Sequence, residues 1–177
     1  KLRKNLRWSD GEPLNADDVV FTWNEVMYNP KYNQITYDLF RSNGKNFEVT
    51  KVDDLTVRVV TPEVFAPFLE YFGSVIILPK HTLAAWVSRG DLLKAYAVTD
   101  QPEHIVGSGP FRVKAFNSQK SVVLERNPEF WTVDKEGRRL PYFDEVELTI
   151  ATSPMELQSL FFEGKSAVYE NIRPEDI

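Results

Sequence analysis

Hydrophobic residues recur at intervals of three and four in the first part of the chain, at Val19, Val20, Trp23, Val26 and Met27. This spacing places them on one face of a helix. Asn15 stands before the run and is a favourable N-cap, and Asp17 and Asp18 follow in the first turn, where the helix dipole favours negative charge. The pattern predicts an amphipathic helix that ends near Asn29-Pro30, because the residue before a proline avoids helical dihedral angles.

Alternation of apolar and polar residues predicts β-strands farther along the chain. One predicted hairpin joins Phe47–Val52 to Leu55–Val60, and a second joins Phe111–Phe116 to Ser121–Arg126. A further strand is predicted at Val146–Ala151. Hairpins interspersed with helices indicate a mixed α/β fold.

The remaining predicted elements are short. The apolar run Val75–Leu78 predicts a strand that ends at Pro79. Short helical segments are predicted at Tyr37–Phe40, within Pro62–Phe72, and at Thr82–Trp86, Leu92–Ala97, Pro154–Phe162 and Ile172–Ile177. In the second of these, Phe65, Phe68, Leu69 and Phe72 are predicted to share one face.

The amino-acid composition excludes several classes of function. The 177 residues are 42% hydrophobic and 27% charged, which is ordinary for a globular protein with a packed core, as one domain or two small lobes. The net charge of -5 argues against a nucleic-acid surface, which would be basic. The chain has no cysteine, so it has no thiolate metal site and no cysteine nucleophile. No signal peptide is visible, and a chain that starts at Lys1 is predicted to be a fragment or processed piece.

Residues 2–23 read LRKNLRWSDGEPLNADDVVFTW and resemble the motif "LRxGxxWSDGxPxTAxDVVFTW" of the family 5 extracytoplasmic solute-binding proteins. Four further segments are similar to the same family in the same order. They are ILPKH at 77–81, IVGSGPF at 105–111, VLERNPEFW at 123–131 and LPYFDEV at 140–146. One segment departs from the family, because residues 164–167 read GKSA where members often have GEID.

This resemblance implies part of a periplasmic-binding-protein type II-like fold, in which two main lobes close around a ligand beside a third, accessory lobe. Residues 1–78 would form part of the accessory lobe and residues 79–177 part of one main ligand-binding lobe. The resemblance also implies that the opposite main lobe, which carries the acidic anchor for the ligand, lies downstream.

The implied function is that of the substrate-binding component of an ABC importer. Such a component captures an oligopeptide or a related small polar solute by hinge closure and delivers it to a membrane permease. The resemblance implies a monomer that is periplasmic or anchored as a lipoprotein outside the cytoplasm, without a cofactor and without nucleic acid.

Three residues are candidate ligand contacts. Tyr32 and Tyr37 lie in an Asn- and Tyr-rich loop, and loops on a rigid scaffold often carry binding groups. The family places an aromatic side chain near this position toward its ligand. Ser108 lies between Gly107 and Gly109, in a segment that could instead present backbone amides to an anion; a dinucleotide fingerprint, however, would need glycine at Arg112.

Eight residues are predicted to be structural rather than ligand-binding: Trp8, Asp10, Gly11, Asn15, Trp23, Gly107, Gly109 and Trp131. The tryptophans are large enough to dominate a core. Asp10 and Gly11 belong to a predicted Ser-Asp-Gly turn, and Asn15 caps the first helix. The two later glycines are predicted to let the backbone pass close to a neighbouring element.

The sequence lacks the residue patterns that a metal site or a hydrolase would need. His81 and His104 lie far apart and form no paired-histidine motif, so no metal site is predicted. Ser108 is not in the G-x-S-x-G elbow of an α/β-hydrolase, which makes a hydrolase the weaker alternative. A sensor or adhesion domain that does not serve transport remains an open alternative, because a fold does not fix a function.

Overall fold

The first helix, α1 (Ala16–Phe21), begins where Asn15 caps it in the computed structural model, which describes residues 1–33, 40–97, 101–118 and 120–168. The Asn15 side chain accepts a hydrogen bond from the Asp17 amide at 2.7 Å. In return, the Asp18 carboxylate accepts the Asn15 amide at 3.0 Å, which completes a capping box. The predicted cap is confirmed.

Helix α1 continues as a π-helical segment at Thr22–Met27, and Tyr28 caps its end. The helix therefore ends close to the predicted Asn29-Pro30, although its change to wider turns is not visible in the apolar spacing. Trp23 lies in this segment and is completely buried.

The first predicted hairpin is confirmed. Strands β3 (Glu48–Asp53) and β4 (Thr56–Val60) pair antiparallel, with a register shift between Lys51 and Asp53. Two very short strands, β1 (Arg41–Ser42) and β2 (Lys45–Asn46), form a separate antiparallel pair before them.

A three-stranded antiparallel sheet lies in the second half of the described chain. Its strands are β5 (Phe111–Asn117), β6 (Ser121–Arg126) and β7 (Glu145–Thr149), in the order β5-β6-β7. The second predicted hairpin and the later strand are therefore both confirmed.

Three further helices and two short turns complete the described elements. Helix α2 spans Phe68–Ser74, and α3 (Lys80–Arg89) ends at Gly90, which takes the left-handed φ of 74°. Helix α4 (Pro154–Phe162) is capped by Ser153, whose hydroxyl accepts the Glu156 amide at 3.2 Å. Short 3-10 turns occur at Leu92–Lys94 and Pro102–His104. The predicted segments at Tyr37–Phe40, apart from Phe40 itself, and at Ile172–Ile177 lie outside the described residues.

Two local predictions were wrong. Val75–Leu78 forms no strand; instead, the Leu78 amide donates to the Thr22 hydroxyl at 2.9 Å. Leu69 is 81% exposed and does not share a face with Phe68. Adjacent residues on a helix lie about 100° apart, so the helix that begins at Phe68 turns Leu69 toward solvent.

Three apolar clusters form the core. The first surrounds Trp23, which stacks on Phe72 with ring centroids 4.7 Å apart. The second contains Trp8, Leu14 and Val106, and the third contains Phe21, Val26 and Leu83. The second and third clusters join residues from both sides of Pro79. Within the described part of the chain, no helix has the length and apolar character to cross a membrane.

Trp131 does not belong to the core, contrary to the prediction. It is 46% exposed, and the Arg3 guanidinium lies 4.2 Å from its ring centroid. Trp131 follows a tight turn, in which the Phe130 amide donates to the Asn127 carbonyl, and lies in none of the three apolar clusters. Trp8 and Trp23, by contrast, are 1% and 0% exposed, so their predicted burial is confirmed.

Replacement of Trp23 by alanine should lower the free energy of unfolding by about 3–5 kcal/mol, because it removes a large aromatic side chain from the core. Asn15→Ala should cost about 1 kcal/mol through loss of the cap. Trp131→Ala is the matched control, and we expect it to cost far less. Urea unfolding measures all three variants, and equal costs for Trp23→Ala and Trp131→Ala would contradict this assignment.

Stability should also fall at alkaline pH because of Tyr28. Burial raises the pKa of the Tyr28 phenol from 10.0 to about 12, although the Phe47 amide that donates to its hydroxyl at 3.0 Å acts in the opposite direction. Because the pKa is higher in the folded state, the protonated Tyr28 phenol contributes to the free energy of unfolding. This contribution is complete below pH 10 and is lost as the pH rises toward 12. Urea midpoints measured across this window should fall less steeply in Tyr28→Phe than in the unchanged chain; an identical pH dependence would refute the prediction.

Candidate functional site

The carboxylate of Asp18 is 4% exposed and accepts three hydrogen bonds from different parts of the chain. The Trp8 indole donates to Oδ2 at 3.2 Å, and the Asn15 amide donates to the same oxygen at 3.0 Å. The Lys80 amide, at the start of α3, donates to Oδ1 at 2.9 Å. One buried carboxylate therefore holds the opening loop, α1 and α3 together.

Thr22 extends this connection by one helical turn. Its hydroxyl donates to the Asp18 carbonyl at 2.7 Å and accepts the Leu78 amide at 2.9 Å. Thr22 is fully buried, so both partners of its hydroxyl come from the protein. The segment that leads into α3 is consequently fixed against α1.

A second junction joins the opening turn to the segment before β5. The Ser9 amide donates to the Gly107 carbonyl at 2.8 Å, and the Gly107 amide donates to the Ser9 hydroxyl at 3.1 Å. Arg112 of β5 donates to the Ser9 carbonyl at 3.2 Å and to Glu125 at 2.7 Å. The sheet is thus connected directly to the loop that carries Trp8.

The glycines of this region differ in what they require. Gly11 has a φ of 90°, and its amide donates to the Trp8 carbonyl at 2.9 Å, so the predicted turn does need glycine there. A Cβ atom on Gly107 would meet nothing within 4 Å, and on Gly109 it would meet only the Phe111 carbonyl at 3.9 Å. Gly107 does contact a neighbouring segment at Ser9, but a Cβ atom would fit at both glycines. Close approach of the backbone therefore requires glycine at neither position.

Asp10 lies between two open pockets beside this junction. One carboxylate oxygen accepts the Glu12 amide at 3.1 Å, and the other lies 2.7 Å from His81 Nε2. The first pocket has a volume of about 290 Å³, and its charged lining residues are Asp10, Glu103, Arg112, Lys114 and Glu125. The second, of about 400 Å³, is lined by Asp10 and Glu103 together with Thr82, Trp86, Tyr96 and His104.

A third pocket is apolar and lies apart from these charged groups. It has a volume of about 250 Å³ and lies against the cluster around Trp23. Val19, Val57, Phe72 and Ile77 are among its lining residues. Within the described residues, no group of three histidine, aspartate or glutamate side chains is placed to hold a metal ion.

Of the three candidate ligand contacts, the structure describes Tyr32 and Ser108, and it places them in different surroundings. Tyr32 packs against the cluster of Phe21 and Leu83, and its hydroxyl donates to the Val87 carbonyl of α3 at 3.2 Å. Tyr37 lies outside the described residues. Ser108 is partly exposed and lines none of these three pockets. Their roles in ligand binding stay predictions.

The sequence reasoning missed the residues that join the chain segments. Asp18 was assigned only to the first turn of α1, and Ser9 only to a turn. Their tertiary partners, Lys80 and Gly107, lie 62 and 98 residues away. The one available signal was a carboxylate, that of Asp18, at a helix position beside the apolar residues. A carboxylate that is buried there must find hydrogen-bond donors.

Comparison with known proteins assigns this chain to a family. The model of the bacterial extracellular solute-binding proteins, family 5 Middle, matches residues 1–177. The chain belongs to this family, and its mixed α/β structure is part of the type II periplasmic binding-protein fold.

The chain is similar to several curated proteins. It is 30% identical to a probable ABC transporter-binding protein of Deinococcus radiodurans, over 95% of this chain and 29% of that protein. It is 28% identical to the periplasmic oligopeptide-binding protein OppA of Salmonella typhimurium, over 82% of this chain and 28% of that protein. The chain therefore spans less than a third of the length of these relatives.

Solved structures agree with this assignment. A putative peptide-binding protein, AppA, from Clostridium difficile superposes with a TM-score of 0.74 at 28% identity, covering 93% of this chain and 32% of that one. The oligopeptide-binding protein AppA from Bacillus subtilis, in complex with a nonapeptide, gives 0.71 at 28% identity, over 93% of this chain and 30% of that one.

Replacement of Asp18 by asparagine tests the first junction. An amide group keeps the shape but cannot accept from all three donors, and hydrogen bonds to a charged group contribute about 1.5–3 kcal/mol each. We expect Asp18→Asn to lower the free energy of unfolding by about 2 kcal/mol or more.

Asp17→Asn is the matched control, because Asp17 is partly exposed and pairs with Lys51 on the surface at 2.6 Å. Surface ion pairs contribute little to stability. Urea unfolding of both variants should show the larger loss in Asp18→Asn, and the reverse order would contradict the role of Asp18.

Proposed function

We propose that this chain is part of the substrate-binding component of an ABC importer, which captures oligopeptides or a related small polar solute and delivers them to a membrane permease. The observation that carries this proposal is the family match over all 177 residues. The oligopeptide-binding relatives support a peptide as the ligand class, whereas a relative at 27% identity is a periplasmic alpha-galactoside-binding protein of Rhizobium meliloti.

The mechanism that we propose is hinge closure. A ligand enters between two open lobes, and their closure removes most of its surface from water. The closed form then presents a surface that the permease recognises. In this proposal residues 1–78 are part of an accessory lobe and residues 79–177 part of one main lobe, with Tyr32, Tyr37 and Ser108 as ligand contacts.

The cellular setting belongs to the same proposal. Several relatives are named as periplasmic binding proteins, which supports a periplasmic or extracytoplasmic, membrane-anchored location. We propose that the component acts as a monomer without a cofactor. The relatives reported above are binding proteins, and we propose that this chain likewise has no enzymatic activity.

Calorimetry with a set of oligopeptides tests this function. A family-length receptor that contains this chain should bind at least one oligopeptide with a dissociation constant of about 1 µM or tighter. Residues 1–177 alone should bind the same peptide at least about 100-fold more weakly, because a closed cleft buries most of a ligand's surface.

Two results would overturn the proposal. Micromolar binding by residues 1–177 alone would show that closure against another lobe is not needed. Failure of the family-length receptor to bind any peptide, together with tight binding of an oligosaccharide, would replace the peptide by a sugar as the ligand class.

A further inference from the structure

The pocket of about 400 Å³ between α3 and the Pro102–His104 turn has a distinctive set of walls. Trp86 and Tyr96 supply aromatic rings, and Asp10 and Glu103 supply carboxylates. No lysine or arginine is among the described residues that line it. Its volume lies within the range of small-molecule sites, roughly 300–1,000 Å³.

The charges around this pocket favour a cation. Asp10 lies 2.7 Å from His81 Nε2, but the side chain of Glu103 is exposed and forms no hydrogen bond or ion pair within the described parts of the chain. Arg112 and Lys114 line the neighbouring pocket, which shares Asp10 and Glu103, and the Arg89 guanidinium lies 4.8 Å from the Trp86 ring centroid. This contact shows that the Trp86 ring already attracts a guanidinium group through its electron-rich face.

The backbone at Tyr96 holds one wall of the pocket in place at a conformational cost. Tyr96 has a φ of 59°, in the left-handed region that bulky residues rarely adopt. Its hydroxyl donates to the Val106 carbonyl at 3.1 Å and lies 3.1 Å from the Thr82 hydroxyl. Burial raises the pKa of the Tyr96 phenol, so this hydroxyl keeps its proton. Unusual backbone conformations of this kind concentrate at functional sites.

We propose that this pocket binds an organic cation, an ammonium or guanidinium group, between the Trp86 and Tyr96 rings and beside the Glu103 and Asp10 carboxylates. Carboxylates attract the charge, and aromatic faces replace part of its water shell without repelling it. The cation could come from a free amine or from the basic side chain of a peptide. The proposal does not rest on the transport function, because it is argued from described groups of this chain alone.

Nuclear magnetic resonance of the 15N-labelled chain tests the pocket with n-butylguanidinium and its neutral counterpart, n-butylurea. We expect the cation to shift the Trp86 indole signal and the amides of Thr82 and Val106, with a dissociation constant on the order of 1 mM, as for a fragment-sized ligand. n-Butylurea should produce no saturable shift. Raising the salt concentration from about 50 to about 500 mM should weaken the binding severalfold.

Glu103→Gln is the decisive variant, because this exposed residue can change without affecting the core. It should weaken n-butylguanidinium binding at least threefold. Glu147→Gln is the control: it removes the same charge from an exposed position on β7 and should leave the affinity unchanged.

N-acetylarginine amide and N-acetylcitrulline amide distinguish the sources of the cation. If the pocket accepts basic side chains, the arginine derivative should bind at least as tightly as n-butylguanidinium; if it accepts only free amines, the derivative should bind more weakly. Equal binding of n-butylurea, unchanged affinity in Glu103→Gln, or no binding of any cation at about 20 mM would overturn the proposal.

Discussion

The structure depends on one buried negative charge. Moving a carboxylate away from water is costly unless hydrogen-bond donors replace the water. Asp18 meets this requirement only when the Trp8 indole, the Asn15 amide and the Lys80 amide are all in place. Asn15 caps α1, Lys80 begins α3, and Trp8 lies in the opening loop. The need to solvate one carboxylate therefore orients two helices and this loop. A buried ion of this kind favours one arrangement of the chain over alternatives that leave it without donors.

The second junction carries this order into the sheet. Ser9 follows Trp8 directly, and it is bound by Gly107 on one side and by Arg112 of β5 on the other. The opening loop is therefore the element through which the helices and the three-stranded sheet are connected. These two hydrogen-bonded junctions together tie the helices, the opening loop and the sheet to one another.

The residues that hold this fold together are distinct from the candidate ligand contacts, and this separation fits the diversity of the family. The relative named for an alpha-galactoside matches 85% of this chain, and the one named for an oligopeptide matches 82%. Residues of the opening segment that pack or make hydrogen bonds in this chain are Trp8 and Trp23 in the core, Asn15 at the cap and Asp18 at the junction. Similarity in the framework therefore indicates the fold strongly and the ligand only weakly, because binding groups are concentrated on loops, which vary more than the elements they connect.

Local chemistry alone determined much of this protein. The Asn15 cap, the alternating strands of both hairpins and the turn at Gly11 follow from residues within a few positions of each other, and each was predicted correctly. The predicted strand at Val75–Leu78 was wrong because the Leu78 amide found its partner in Thr22, 56 residues away. For the same reason, the meeting of Asp18 with Lys80, and of Asp10 with His81 beside the pocket, was decided only by the tertiary structure. A sequence pattern records the spacing of neighbours along the chain, whereas these hydrogen bonds join groups whose proximity exists only after the chain has folded.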